Sequence, residues 1–266
     1  MSLQEKDDKL SEIFQEMKSV SIAFSGGVDS TFLLWKAKQV LGENVKAYTI
    51  QTPYIPQWEI NEAVELAKSI GVQHQVLELK YPENIRNNPE NRCYLCKTQL
   101  FSYLKKISKE QKMNYLCEGT NTDDLNDYRP GRKAIDELKV KSPMLEAGLT
   151  KNEIRELSKN ACLPTWQKPA YACLLTRIPH NTAVSNGILT KIERAEKFLI
   201  DKNIRAVRVR TQNNTARIET TKENMKLLIS EPLNYAVHKY FKSIGYDFVS
   251  IDIIGYKTGS FNEVVK

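Results

Sequence analysis

The chain predicts an α/β protein: a parallel sheet covered on both faces by helices, followed by a smaller α+β domain. Three observations predict it. Apolar runs of strand character alternate with helical patterns from residue 20 to residue 118, which is the signature of βαβ units. The first such run passes directly into Ser25-Gly26-Gly27-Val28-Asp29-Ser30 and then into a helical pattern beginning at Thr31. From about Ser185 the alternation gives way to a helix, a hairpin, more helix and one last strand. The expected domains are therefore 1–180 and 181–266.

Taken in order, residues 9–18 read as a short amphipathic helix, and Val20-Ser21-Ile22-Ala23-Phe24 as a buried strand. After the glycine turn a helix runs to about Leu41, with Gly42 as its stop. Val45 to Ile50 is a second strand, residues 60–70 a helix ended by Gly71, and Val76 to Leu79 a third strand. A helix from about Lys97 to Lys112 leads into a fourth strand, Tyr115 to Glu118. Ligands of such sheets bind beyond the C-terminal strand ends, an edge to which the loops starting at Gln51 and Gly119 belong. In the second domain a helix spans 186–202. Strands 206–210 and 216–219 then flank an Asn213-Asn214 turn, a hairpin with period-two alternation. Helices follow over about 221–243, and Phe248 to Ile254 is the last strand.

A chain of 266 residues can bury a sizeable core, and 41% hydrophobic with 27% charged residues is ordinary for a globular protein. Its apolar stretches are far shorter than a membrane span, and Met1 to Asp8 is polar, without an apolar signal region. A cytoplasmic protein with no membrane partner is expected. The net charge of +7, from 39 Lys and Arg against 32 Asp and Glu, fits RNA or anionic small substrates alike. No Lys/Arg block or aromatic-interleaved basic stripe stands out, so the expected partner is a small molecule and not nucleic acid. Five cysteines in a cytosolic chain point to metal, cluster or catalytic roles before disulfides.

The loop at 25–30 carries the strongest chemical signal. A strand, a glycine turn and a helix start aim backbone N–H groups and the positive end of a helix dipole at one spot, which suits a phosphate. The paired Gly26 and Gly27 let the backbone approach an anion without Cβ obstruction. Ser25 and Ser30 add hydroxyls, and Asp29 can hold a helix N-terminus or a magnesium ion. No Gly-Lys-Ser/Thr follows and the third glycine of a dinucleotide fingerprint is missing. A second segment, Glu118-Gly119-Thr120-Asn121-Thr122-Asp123-Asp124, begins where the fourth strand ends and continues through Asp127 and Arg129. Gly119 permits close approach to a nucleotide, Asp124 and Asp127 can bind magnesium, and Arg129 can neutralise phosphate; an Asx-rich surface turn is the plainer alternative.

Three further groups are candidates. Cys93-Tyr94-Leu95-Cys96 reads as half a zinc site, a redox pair, two ligands of an iron–sulfur cluster, or two packed thiols. Zinc is the weaker of these, because Cys117, Cys162 and Cys173 are scattered and His74, His180 and His238 lack ligand spacing. Cys173 and Arg177 lie in a short segment bracketed by Pro169 and Pro179. A guanidinium nearby favours thiolate, while a buried inert thiol is the alternative. In the hairpin, Val207 and Val209 face the core and Arg208 and Arg210 share the other face. They serve there either as holders of a phosphate or carboxylate or as solvated side chains. Cys117 and Cys162 read as core thiols.

The six-residue loop resembles the SGGxDS pyrophosphate loop (PP-loop) of the ATP-pyrophosphatase superfamily, whose members split ATP between the α and β phosphates, adenylate a substrate oxygen and release pyrophosphate. Over nearly the whole chain the motifs SGGVDS, NRCYLCK, EGTNTDDLNDYRPG, SPMLEAGLTKNEIRELSKNACLPTWQKPAYACLLTRIP, VRVR, ARIE and GYKTGSFNE resemble the LarE family. The resemblance implies an adenine nucleotide α-hydrolase-like domain and an ATP- and Mg2+-dependent sulfur transferase. Its substrate would be pyridinium-3,5-biscarboxylic acid mononucleotide, converted to the bisthiocarboxylic acid for nickel-pincer nucleotide synthesis, the cofactor of lactate racemase-type enzymes.

It places ATP on Ser25, Gly26, Gly27, Val28, Asp29, Ser30, Gly119, Thr120, Asp124 and Arg129. The substrate phosphate falls to Glu196, Arg208 and Arg210, with Thr176 and Arg177 beside Cys173. The family has two sulfur routes. In one the residue matching Cys173 gives up its own sulfur. In the other that residue joins a cysteine pair to hold a [4Fe-4S] cluster, and the presence of Cys93 and Cys96 resembles this branch. The resemblance also implies a homo-oligomer, a hexamer, and leaves the sulfur donor unknown. A tRNA-thiolating iron–sulfur relative is the rival reading.

Overall fold

In the computed structural model, which describes residues 1–125 and 131–256, the chain is an α/β protein with two sheets and two compact units. The first unit comprises Met1–Thr52, Gln57–Lys80 and Asn91–Lys168; the second comprises Pro53–Pro56, Tyr81–Glu90 and Pro169–Lys266. A division at 180/181 and this one assign residues 169–180 differently, and the second unit also takes two short segments from the middle of the chain.

The first unit opens with helix α1 (Leu3–Met17), strand β1 (Val20–Ala23), α2 (Val28–Leu41), β2 (Val45–Gln51), α3 (Gln57–Ile70) and β3 (Gln73–Glu78). It continues with α4 (Arg92–Glu110), β4 (Tyr115–Cys117), α5 (Gly131–Glu137), α6 (Pro143–Glu146) and α7 (Lys151–Asn160). The four strands are all parallel in the order β3-β2-β1-β4. Side chains alternate across the sheet, as the two-residue period requires. Val20, Ile22, Val45, Ala47 and Cys117 join the core built with Phe14, Phe32 and Ile154. Tyr48, Ile50 and Leu116 join a second core with Leu104 and Ile135. Burial on both faces explains why β1 and β2 are predominantly apolar, with few interruptions by polar residues. Chain winding reverses between β1 and β4, so the loops leaving them open a crevice at the sheet's C-terminal edge.

Several element boundaries differ from those expected, each for a local reason. α1 starts at Leu3, because Ser2 and Glu5 form a reciprocal capping box ahead of the apolar residues. β3 starts at Gln73; it lies at the sheet edge, where polar residues are tolerated and the apolar signal fades. α4 starts at Arg92, so Cys93 and Cys96 stand inside its first two turns. α5, α6 and α7 carry no expectation in the sequence reading. Cys162, expected in the core, is exposed: it follows α7 with φ +54°, and Leu163 turns inward instead. The helix-ending left-handed turn fixes that exchange, with the Cys162 and Leu163 N–H groups bonded to the Lys159 and Ser158 carbonyls. Cys117 is in the core as expected, and burial pushes its thiol pKa well up.

The second unit carries α8 (Asn186–Asp201), β5 (Arg208–Gln212), β6 (Thr215–Glu219), α9 (Lys222–Leu228), α10 (Leu233–Ser243) and β7 (Phe248–Ile251). Its sheet has the order β5-β6-β7, antiparallel then parallel. The expected hairpin turns on Asn213 and Asn214, both with positive φ, which matches a two-residue turn to the strand twist. β5 begins at Arg208 rather than 206, because Ala206 adopts φ +52°. Ala195, Leu199, Val207, Val209, Ile218 and Phe241 form the core of this unit.

Candidate active site

In the first unit the chain leaves β1 at Phe24 and turns through Ser25, Gly26 and Gly27 into α2. Gly26 has φ +68°, and a Cβ there would lie 3.2 Å from the Ala63 backbone, so only glycine fits without strain. Gly27 caps α2 with no side-chain bond, which leaves the N–H groups of Val28, Asp29 and Ser30 without helical acceptors. The two serines tie the turn together. Ser30 Oγ donates to the Gly27 carbonyl at 3.2 Å and accepts from the Ser25 N–H at 3.3 Å, while the two hydroxyls lie 3.1 Å apart. The result is a preformed cradle of backbone donors at the positive end of a helix, suited to a phosphate chain.

The segment after β4 closes on that cradle. A Cβ on Gly119 would sit 3.2 Å from Ser30 N and from Asp29 Cβ, so glycine here permits the two loops to meet. Glu118 is buried and organises the segment: its carboxylate accepts from the Thr120 N–H at 3.0 Å, the Thr120 hydroxyl at 2.8 Å and the Ser142 hydroxyl at 2.6 Å. Asp124 is also buried and accepts from the Asn121 N–H at 3.0 Å, which makes it a staple of the turn. Asp29 keeps both carboxylate oxygens engaged, one by Asn121 Nδ2 at 3.4 Å and the other by Lys151 Nζ. Lys168 donates to the Gly26 carbonyl and to Glu62, each at 2.8 Å, and Arg155 holds the Trp166 and Lys168 carbonyls. Nothing local in the sequence ties Lys151 or Lys168 to a loop more than a hundred residues upstream, and Arg155 supports that loop only through Lys168. Asp127 and Arg129 lie outside the described residues.

Cys93 and Cys96 are three residues apart on the first two turns of α4, hence on one face of it, and both are partly exposed. That spacing fits two thiolate ligands of one inorganic centre. Cys173 belongs to the second unit, caps a short 3-10 turn over Leu174–Arg177 and is also partly exposed. No disulfide joins any of the five cysteines. Among the described residues no group of three or more His, Cys, Asp or Glu is gathered as a metal site would need.

In the second unit Arg177 is fully buried. Its Nε and one terminal nitrogen pair with the Glu196 carboxylate at 2.8 and 2.9 Å. The other terminal nitrogen donates to the Ala172 carbonyl, the Cys173 carbonyl and the Thr176 hydroxyl at 2.8, 3.2 and 2.7 Å. Arg177 therefore acts on Cys173 through the backbone that carries it. Glu196 also accepts the Val209 N–H at 2.9 Å, fastening β5 to α8.

Arg208 and Arg210 are buried rather than solvated. Arg210 pairs with Glu219 at 2.9 Å and donates to the Thr176 carbonyl. The Arg208 guanidinium lies over the rings of Tyr171 and Tyr256, at 5.2 and 5.1 Å, and donates to the Val207 and Ala170 carbonyls. Burial, and then repulsion from Arg177, lowers the pKa of Arg208 below that of an ordinary guanidinium. The described buried charges of this unit are thus the guanidiniums Arg177, Arg208 and Arg210 against the carboxylates Glu196 and Glu219. That excess of positive charge suits an anion, because an unbalanced buried charge is costly.

Residues 12–101 match the family described as asparagine synthase. A pyridinium-3,5-bisthiocarboxylic acid mononucleotide synthase of Lactiplantibacillus plantarum is 31% identical over 267 residues, covering 99% of this chain and 96% of that protein. The chain belongs to the LarE family. Membership makes it an ATP-dependent sulfurtransferase on a pyrophosphate-loop domain, in keeping with the parallel sheet and the cradle at Ser25–Ser30. Two further relatives span the same length. An uncharacterized protein of Synechocystis is 36% identical over 266 residues, 99% of each chain, and one of Methanocaldococcus jannaschii is 35% identical over 253 residues, 94% of this chain and 95% of its own. Among the described residues no helix is long and apolar enough to cross a membrane.

Proposed function

We propose that the protein uses ATP to adenylate the carboxylates of pyridinium-3,5-biscarboxylic acid mononucleotide and converts them to thiocarboxylates, with Cys173 at the sulfur-handling position. One observation carries this reading: a partly exposed cysteine whose carbonyl is gripped by Arg177, itself one of three buried guanidiniums that outnumber the buried carboxylates beside them. An anionic nucleotide substrate suits that excess, and the bisthiocarboxylic acid mononucleotide for which the Lactiplantibacillus relative is named supplies the product.

In this reading the N–H groups of Val28, Asp29 and Ser30 hold the pyrophosphate end of ATP, and Gly119 and Thr120 lie against the nucleotide. Asp29, with Asp124, serves Mg2+. A substrate carboxylate oxygen attacks the α-phosphorus and pyrophosphate leaves, so the poor oxide leaving group becomes AMP. Sulfur then adds to the acyl carbon and AMP departs. Arg208 and Arg210 bind the substrate phosphate, Thr176 and Arg177 hold the Cys173 segment, and Glu196 positions Arg177. Cys93, Cys96 and Cys173 are the residues that would hold a [4Fe-4S] cluster, which when bound supplies an iron free of protein ligands to carry sulfide. The assembly in this reading is a cytoplasmic homo-oligomer, a hexamer.

A second sulfur route keeps the same reaction but takes the sulfur of Cys173 itself. Cys173 is partly exposed, which leaves its own sulfur accessible for this route. Intact-protein mass after one turnover separates the two: loss of one H2S per chain marks the sacrificial route, and unchanged mass with inactive Cys93→Ala marks the cluster. Formation of AMP and pyrophosphate only when the pyridinium nucleotide is present supports the reaction as a whole. ADP formation, or no cleavage, refutes it.

A further inference from the structure

Cys173 lies in a loop, residues 169–184, that contains no strand, so its carbonyls must find donors outside a ladder. Side chains of the second unit supply them. Arg208 takes the Ala170 carbonyl, Arg177 those of Ala172 and Cys173, and Arg210 that of Thr176. Asn88 joins them from the segment 81–90. Its Nδ2 lies 3.2 Å from the Leu175 carbonyl and 2.9 Å from those of Ile178 and Pro179. The residue is fully buried, and its φ of +50° is a left-handed value that asparagine adopts more readily than most side chains. Its main chain is fixed too: the N–H donates to the Ile85 carbonyl at 2.9 Å, and the carbonyl accepts the Asn181 N–H at 3.0 Å. Arg177 thus holds the entry to the Leu174–Arg177 turn, and Asn88 holds its exit.

These donors differ in one respect. Arg208 and Arg210 are cations, and an anion entering beside them competes with neutral carbonyls for the same N–H groups. The Asn88 carboxamide is neutral and feels no such competition. We propose that Asn88 is a positioning residue for sulfur transfer, fixing the turn that carries Cys173 while the arginines engage a substrate phosphate. The proposal rests on the reading of Cys173 as the sulfur-handling residue. It leaves adenylation, in which Cys173 takes no part, independent of Asn88. An acyl-adenylate whose sulfur donor is misplaced is attacked by water instead, which returns the carboxylic acid and releases AMP.

The test is the yield of thiocarboxylate per AMP from ATP and the pyridinium nucleotide. Asn88→Gly keeps the left-handed backbone and deletes the donor, while Asn88→Asp keeps the shape and sets an acid against the three carbonyls. In both, AMP release should stay within about twofold of wild type while thiocarboxylate per AMP falls at least about tenfold. A second measurement needs no nucleotide. Peptide mass analysis after iodoacetamide should find Cys173 of Asn88→Gly alkylated at least about fivefold faster, with exposed Cys162 unchanged and buried Cys117 unreactive. AMP and thiocarboxylate falling together, or an unchanged yield per AMP, would overturn the proposal. So would a reactive Cys117 in both variants, which would make Asn88 a support of the whole fold. A wild-type protein that forms no thiocarboxylate would overturn the sulfur reading itself. Unchanged Cys173 alkylation in Asn88→Gly would overturn the positioning role independently of that reading.

Discussion

Arg177 and Glu196 form a bidentate ion pair in which each side chain is only 1% exposed, and the same guanidinium holds the carbonyl of Cys173. Replacing Glu196 with Gln strands a charged guanidinium in the core of the second unit. Unfolding in urea should show a loss of about 3–5 kcal/mol. By contrast, Lys197→Ala, which breaks only the exposed pair with Asp201 on α8, should cost no more than about 0.5 kcal/mol. Comparable costs for the two variants would mean that the buried pair is not the brace described here.

Arg208 is held by two cation–ring contacts, with Tyr171 and Tyr256, as well as by hydrogen bonds. A lysine cannot reproduce a planar guanidinium that makes both contacts and both bonds at once. Arg208→Lys is therefore expected to raise KM for the pyridinium nucleotide by about tenfold or more, close to the effect of Arg208→Gln, and to leave KM for ATP within about twofold. Steady-state kinetics with each substrate varied in turn checks this.

The two loop glycines make separable predictions. Gly26→Ala forces a side chain into φ +68° and to within 3.2 Å of the Ala63 backbone. It should lower stability by about 1 kcal/mol or more and weaken ATP binding together. Gly119→Ala meets no such backbone strain but presses on Asp29 and the Ser30 N–H at 3.2 Å. Thermal melts with and without nucleotide should show the second variant nearly native in stability and defective in nucleotide-induced stabilisation.

His74 on β3 shares a hydrogen bond of 2.8 Å with Thr49, whose hydroxyl donates at 2.7 Å to the carbonyl of Phe24, the last residue before the phosphate turn. Thr49 has spent its proton, so the imidazole is the donor to it. Burial holds the His74 pKa below its ordinary value of 6.5. The unfolded chain then binds the extra proton first, so this contribution to stability is complete above pH 6.5 and is lost as the pH falls below it. Melting temperatures of wild type and His74→Gln should converge between pH 7.5 and 5.5, with the wild type losing more. A parallel decline would remove His74 as the cause.

Much of the first sheet was legible in the sequence because doubly buried strands such as Val20–Ala23 and Val45–Gln51 are predominantly apolar, and because Gly26 and Gly27 mark a turn suited to glycine. The loop at Glu118–Asp124 was legible by position, beyond the end of β4. Its internal wiring was not, since nothing in the string shows Glu118 accepting three bonds. Alternation in the hairpin put Arg208 and Arg210 on one face but could not tell a wet face from a covered one, and here the structure covers it. Cys162 reads as a core thiol from its apolar neighbours, which say nothing of a left-handed residue that turns its own side chain outward. Lys151 needed the tertiary fold, being 122 positions from Asp29.

The path of the chain through its two units constrains how such a protein can be divided. Residues 53–56 and 81–90 precede most of the first unit's second half yet pack with the second unit. Tyr54 gives its carbonyl to the Leu174 N–H, and Asn88 Nδ2 reaches the carbonyls of Leu175, Ile178 and Pro179 at 2.9–3.2 Å. A single cut at any position would orphan part of one unit. The two units consequently cannot be shuffled as cassettes, and gene fusions or circular permutants must keep both interleaved strands of connectivity intact to yield a folded product.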